Sequence, residues 1–494
     1  MKARLSLLLV LYMLLAPIGL RAQQKVRQLS LDDAINISKA QSPDALNARQ
    51  TFRTSYWEYR NFLASNLPAL TLTGTTPNIT QNIQSQQVNG IQSYYSYKFI
   101  SAQANLALSQ KIGITGGTIS VNSYLNGTYN VDQPNPTPYV SYPVNIELNQ
   151  PIFTYNSYRW DKKILPLKYA QAKKKFLEDI EQISITTTNY FFSLLQAQVE
   201  KKIALINLSN YDTLYHIAKG RFQLGKIAEN DLLQLELSFL KAQAQVENAN
   251  LSLDNAQFMF KSFLRLQDST TIILTPPNGM DFFHIDPVKA VNLAVENSSS
   301  MLDFDRRTLE AASQVNFAKM NGRFDANIHA VIGLQQQAAT IPDVYSYPAD
   351  QRQVSLGLTI PIVDWGVASG KIKIAQAQQV IVKNSVEQGI IDFQRNVYLK
   401  VVQFNMQQNQ LKIAAKSDTV AKKSYEVTKG RYLIGKINSI LDLNNAQIET
   451  NNAEKNYYLA LETYWRGYYE IRKLTLFDFI KQKNLQFDLK DIKL

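Results

Sequence analysis

The residues that could do chemistry in this chain are few and poorly placed for it. The three histidines, His216, His284 and His329, are scattered, and no cysteine is present to complete a metal or nucleophile set. Close carboxylates such as Glu178 with Glu181, or Glu229 with Asp231, have the spacing of a general acid and base. They lie in polar helical stretches, however, and read as solvated charge. "GITGGT" (113–118) has the glycines of a phosphate cradle but not the Lys-Ser/Thr pair that would follow one, so it reads as a hairpin turn needing positive φ. A formal charge of +12 without a dense basic cluster interleaved with aromatics argues against nucleic acid. The expectation is a protein that is not an enzyme and holds no cofactor or metal.

What the chain repeats is more informative than what it could catalyse. "KGRFQLGKI" (219–227) recurs as "KGRYLIGKI" (429–437), and aligning Gly220 with Gly430 sets Pro151 opposite Pro361 without a gap. The flanks agree: "VNIELNQPIF" (144–153) faces "VSLGLTIPIV" (354–363). Farther upstream, "AINISKAQS" (34–42) resembles "AVNLAVENS" (290–298) at a spacing of 256 instead of 210, so the first copy carries an insertion. Internal duplication is therefore the organising fact.

Hydrophobic periodicity changes from two to seven at each proline. Before it lie strands such as "ALTLTG" (69–74), "ANLALSQ" (104–110), "ANIHAVIGL" (326–334) and "QVSLGLTI" (353–360). After it, Phe176, Ile183, Leu194, Ala197 and Ala204 form one seam, with Val386, Val397, Phe404, Leu411 and Tyr425 as its counterpart in the second copy. A second seam through Ile185, Phe192, Leu195, Val199 and Ile206 lies on another face, and two seams require neighbours on both sides. Each "KGR" motif then marks the turn at the tip of a long helical hairpin.

Lys2, Arg4, an apolar run from Leu5 to Leu15 and "APIGLRA" read as a secretory signal peptide cleaved after Ala22. No later run approaches the roughly 18 to 20 apolar residues of a membrane-spanning helix, so a crossing would have to use strands. The expected divisions are a signal peptide at 1–22, early helices at 23–67, barrel strands and loops at 68–153 and a long helical hairpin at 154–275. The second repeat follows with early helices at 276–324, barrel strands at 325–363 and a hairpin at 364–475, before a C-terminal tail at 476–494. Four to six strands cannot close a barrel, because the smallest need about eight; several copies must pool them.

The duplicated plan, "NQPIF" with "IPIVDWG", and the paired "GR(F/Y)xxGKI" tips resemble the TolC-like outer-membrane efflux proteins, over about residues 28 to 475. The resemblance implies a mainly α fold with β. A homotrimer would form a 12-stranded outer-membrane β-barrel continued by a 12-helix periplasmic α-barrel, built from two internal repeats per chain. It implies an exit duct for efflux or type I secretion, set in outer-membrane lipid and extending into the periplasm. The implied partners are a periplasmic adaptor and an inner-membrane transporter of the RND, ABC or MFS class. The competing reading is a surface or periplasmic structural coiled-coil or adhesin, which leaves two symmetrically placed strand zones unexplained.

Carried over position by position, the resemblance assigns adaptor docking to Arg221, Phe222, Leu224, Gly225 and Lys226 at the first tip and to Arg431, Tyr432, Ile434, Gly435 and Lys436 at the second. It assigns a periplasmic gate to Asp231, Tyr432 and Lys436, with Asp442 adding acid near the constriction. Two departures stand out: Ile437 occupies the family's basic position, and the second copy has one extra residue before Asp442. Trp160 and Trp365, at the two strand-to-helix junctions, are expected at the membrane interface. The surplus extended sequence between 92 and 143 is expected to form an additional hairpin.

Overall fold

The computed structural model describes residues 25–88, 90–131, 138–266, 270–277, 282–436 and 440–486. The expected signal peptide, Ile437, part of the C-terminal tail and part of the 92–143 insertion lie outside these. In chain order the first repeat comprises β1 (Lys25–Leu29), α1 (Leu31–Gln41), α2 (Pro43–Ala64), β2 (Ala69–Val88), β3 (Ile91–Ile112), β4 (Gly117–Asn130), β5 (Tyr139–Ile152), α3 (Ser157–Gln223), α4 (Glu229–Leu264) and β6 (Thr270–Leu274). The second comprises α5 (Pro287–Asn297), α6 (Ser299–Asn321), β7 (Asp325–Ala338), β8 (Ala349–Thr359), α7 (Val367–Leu433), α8 (Ile440–Thr475) and a short hairpin of β9 (Phe477–Asp478) and β10 (Lys483–Asn484).

The duplication is reproduced to the residue. The long helices α3 and α7 are 67 residues each, and their first and last residues (157 and 367, 223 and 433) are offset by 210. The returning helices α4 and α8 are 36 residues each, but offset by 211 at both ends (229 and 440, 264 and 475). The extra residue of the second copy is thus absorbed in the turn, and Asp231 and Asp442 both occupy the third position of their helices. Asp442 therefore stays in phase with Asp231, because the second helix starts one residue later.

The chain forms two compact units. In the unit Thr51–Lys175 with Ser299–Phe393, six strands form one antiparallel sheet in the order β2-β3-β4-β5-β7-β8. The resemblance implies two strands per repeat, whereas here the first repeat supplies four and the second two. The surplus sequence did not become a loop: β2 and β3 pair from Ala69↔Ser109 to Val88↔Ile91. The helices of this unit meet closely, and a Cβ at Gly389 of α7 would lie 2.8 Å from the Phe304 ring of α6.

In the other unit, α3 packs on α4 through stacked rings, Tyr190 on Phe263 and Tyr215 on Phe239. On its other side α3 meets α8 through Gln196 to Glu462 (2.8 Å) and Lys455 to Glu200 (2.8 Å). α8 in turn packs on α7 through Phe404 against Tyr464 and Lys400 to Glu470 (2.7 Å). The predicted seams of α3 are buried at Phe176, Ile183 and Leu194 on one face and at Ile185, Phe192 and Leu195 on the other, but Ile206, at the end of the second seam, is 47% exposed.

Two glutamines 210 residues apart pin the chain segments that wrap these helices. Gln198 of α3 donates to the Ile272 carbonyl (2.7 Å) and accepts from the Leu274 N–H (3.2 Å), completing the edge of β6, whose other edge pairs in parallel with β1. Gln408 of α7 does the same to Phe283, donating to its carbonyl (2.7 Å) and accepting from its N–H (3.1 Å). A side-chain amide presents the same donor and acceptor pair as a peptide group, so each glutamine substitutes for one residue of a missing strand.

Candidate functional site: the hairpin tips and the junctions

Each tip ends its helix in the same hydrogen-bonded cap. At the first, the Lys226 N–H reaches the Arg221 carbonyl (2.9 Å) and the Gly225 N–H reaches that of Phe222 (2.8 Å); at the second, Lys436 reaches Arg431 (3.0 Å) and Gly435 reaches Tyr432 (3.1 Å). This double bond around a left-handed residue is the Schellman arrangement. It explains Gly225 and Gly435, whose φ values of +66° and +74° suit glycine. It does not explain Gly220 and Gly430, which lie inside helices with nothing within 4 Å of where a Cβ would stand.

The tip residues divide into two sets. Phe222, Leu224 and Ile434 are exposed, as are the residues at Lys226, Arg431 and Lys436, and together they make an apolar and basic surface. Tyr432, expected both in the docking surface and in the gate, is only 2% exposed and so does not contribute to the exposed tip surface. It lies in an apolar cluster with Leu214, Leu235, Tyr425, Ile440 and Leu443, which joins both hairpins.

The partner that Tyr432 meets is Arg221. The guanidinium stands 5.3 Å from the Tyr432 ring centroid, and its Nη2 donates to the Leu433 carbonyl (3.2 Å). Burial pushes the Tyr432 hydroxyl up from its ordinary value; the Arg221 charge works against the shift and the Asp231 charge adds to it. Next to it, burial pushes the Tyr425 hydroxyl up to about 12, so the aromatic core of the tip stays neutral. Lys429 adds a second cation, 5.7 Å from the Tyr425 ring centroid and donating to Asn210 Oδ1 (3.0 Å).

Of the residues assigned to the gate by the resemblance, Asp231 acts on the Tyr432 hydroxyl through its charge, and the cation at the Tyr432 ring is Arg221, a residue of the docking set. Lys436 is exposed, and Asp442 stands exposed in the first turn of α8. Arg221 and Lys429 could have been found from the duplication: both motifs carry Lys-Gly-Arg, and one copy's arginine faces the other copy's tyrosine.

The two tryptophans are not equivalent. Trp160 lies within α3 and donates from Nε1 to Asn316 Oδ1 (3.3 Å), with Lys163 Nζ 5.5 Å from its ring centroid. Trp365 is 94% exposed in the loop before α7, at a left-handed φ of 54°. It is held there by Asp364, which caps α7 by accepting from the Gly366 and Ala368 N–H groups (both 2.9 Å). Those bonds hold the Asp364 carboxyl below the usual range.

No group of histidine, cysteine, aspartate and glutamate among the described residues could hold a metal ion. No described helix is long and apolar enough to cross a membrane, and exposed apolar side chains lie both on the sheet and along the long helices.

A duplicated chain with a six-stranded sheet and two long helical hairpins defines a wall element of an outer-membrane channel. The family model described as "Outer membrane efflux protein" matches residues 35–259 and 294–475, and the chain belongs to that family. The membership places it in the outer membrane, with its helical part extending into the periplasm.

Among solved structures, the chain resembles the Campylobacter jejuni CmeC outer membrane channel with a TM-score of 0.65 and 16% identity, covering 94% of this chain and 88% of that one. It resembles the outer membrane protein VceC of Vibrio cholerae at 0.61 and 12%, covering 90% and 95%. The open state of the Neisseria gonorrhoeae MtrE outer membrane channel matches at 0.59 and 13%, covering 92% and 91%. No curated protein sequence matches the chain.

Proposed function

We propose that three copies of this chain form the exit duct of a tripartite efflux or type I secretion system. The tips dock on a periplasmic adaptor, which connects the duct to an inner-membrane transporter of the RND, ABC or MFS class. The duct passes solutes or proteins without transforming them and needs no cofactor.

The observation that carries the assembly is a pair of unpartnered heptad stripes. On α4, Leu233, Leu237, Leu240, Leu251 and Phe258 are exposed; on α7, Tyr398, Val402, Ile413, Val420 and Val427 are exposed. Steps of three, four, seven and eleven are those of a helix seam, and a seam facing water favours a neighbouring helix. Copies joined α7 to α4 would bury both stripes and close a ring. At the tips, Arg221, Tyr432 and Asp231 form the gate, with Lys436 and Asp442 on its exposed rim. Phe222, Leu224 and Ile434 with the basic residues beside them form the docking surface. Trp365 anchors the junction at the membrane interface.

Purification of the full-length protein from outer membranes tests the proposal. A trimer that forms ion-conducting pores in planar bilayers is expected. A water-soluble single subunit that never conducts would refute it.

A further inference from the structure

The β2–β3 hairpin is continuous with the rest of the sheet in both register and chemistry. One row of paired residues crosses five strands as Leu70, Leu108, Val121, Ile146 and Ile332, and all five are between 41% and 66% exposed. The adjacent row, on the opposite face, reads Thr71, Ala107, Asn122, Asn145, Gly333 and Gln351. In this row the apolar face runs from β2 to β7 and ends at Arg352 of β8, while the polar face runs through all six strands, as in a barrel wall with lipid outside and water inside.

The polar face also binds the hairpin to its neighbours. Gln103 of β3 donates to Thr75 of β2 (3.4 Å) and accepts from the Tyr124 hydroxyl of β4 (3.1 Å). At the far side, Asn145 of β5 reaches across Gly333 of β7 to Gln351 of β8 (3.2 Å), and a Cβ at Gly333 would collide with it. Each strand has at least 11 residues, and the shared pairing of β3 with β4 covers 99–112 against 117–130. About 9 to 11 residues suffice for a strand to cross the bilayer.

Among the described residues, both ends of this sheet, β2 and β8, have an unpaired edge. Backbone groups cannot stay unpaired in lipid, so the edges must meet strands from elsewhere. Six is even, so β8 runs opposite to β2, and joining β8 of one copy to β2 of the next keeps every pair antiparallel.

We propose that the β2–β3 hairpin is part of the lipid-facing wall, so that each chain contributes six strands and three copies close a barrel of eighteen. The inference rests on the threefold assembly proposed above. Barrel diameter grows roughly linearly with strand number, so this outlet is about one and a half times as wide as one built from four strands per chain. The barrel then sets no tight limit on what leaves, and the narrow point of the duct is the tips. The extension of the hairpin, residues 81–88 paired with 91–98, continues as a two-stranded ribbon beyond the shared wall.

Single-particle imaging of the full-length protein in lipid nanodiscs tests this by counting strands in cross-section, with eighteen expected. Cysteine pairs supply a second measurement, since the chain has no cysteine of its own. Pairs between positions 69–75 and 349–359 should crosslink between copies, and Leu72→Cys and Leu106→Cys should resist water-soluble maleimide. A trimer with twelve strands, in which β4 crosslinks to β8 of the next copy and Leu72→Cys labels from water, would overturn the inference while leaving the threefold assembly intact. Failure to find any trimer would remove the assembly on which it rests.

Discussion

The Arg221 guanidinium lies over the face of Tyr432, 5.3 Å from the ring centroid, although the two residues belong to different repeats. The contact uses the ring, and the buried Tyr432 hydroxyl makes no well-formed hydrogen bond, although Arg221 lies close enough to favour its ionised form. Removing a buried hydroxyl that makes no well-formed bond costs little, whereas removing the ring leaves a cavity worth about 3 to 5 kcal/mol. Tyr432→Phe should therefore keep the wild-type single-channel conductance and melting temperature. Tyr432→Ala and Arg221→Ala should raise conductance severalfold, read in planar bilayers.

The glycines inside the tip motifs separate folding from docking. Gly220 and Gly430 have open space around them, so alanine should stabilise each helix by about 1 kcal/mol. If a partner's backbone approaches these positions, the same change should weaken docking. Gly220→Ala with Gly430→Ala should raise the melting temperature of the isolated protein and lower drug resistance or secretion in cells. Gly435→Ala should lower the melting temperature, because its φ is positive.

The end of the chain is held by a buried ion network with a predictable pH dependence. Arg472 pairs with Glu181 (3.1 Å) and Asp478 (3.3 Å), and the Tyr468 hydroxyl donates to Asp478 (2.8 Å). Burial pushes the Asp478 carboxyl up, but bonds from the Lys481 N–H and Tyr468 together with the Arg472 charge outweigh it, leaving the carboxyl below its ordinary value. A lowered carboxylate adds stability in full above its unfolded value of about 3.9 and loses it as pH falls through the folded value. Asp478→Asn should flatten the acid arm of the melting temperature against pH. Arg472→Met leaves Asp478 without its cation and Glu181 with Lys39 alone (3.2 Å), and should lower the melting temperature near neutral pH.

The strap held by Gln408 offers a local readout. Gln408→Leu removes both bonds to Phe283, each unsatisfied group costing about 1 to 3 kcal/mol. Hydrogen exchange should accelerate at residues 282–286 with little change in the helices.

The two junction tryptophans should respond differently to lipid. Among single-tryptophan variants in vesicles, Trp365, which projects freely, should be quenched by brominated lipid more than Trp160, whose indole is bonded to Asn316. Equal quenching would argue against an interfacial role for Trp365.

The sequence by itself determined what is encoded locally. Period two and period seven fixed which stretches are strands and which are helices. The duplicated "KGR" motifs located the tips, and the glycines four residues after Arg221 and Arg431 marked where each helix had to stop. Tertiary structure decided the rest, because it depends on packing between residues remote in the chain. Arg221 and Tyr432 are 211 residues apart, and only the packing of both hairpins into one apolar cluster turns a tip arginine into the tyrosine's partner. Alternation in residues 69–112 could show strands but not their neighbours. Register joined them to β4 and carried the apolar face through them, because backbone pairing propagates across a sheet wherever the next strand offers matching donors and acceptors.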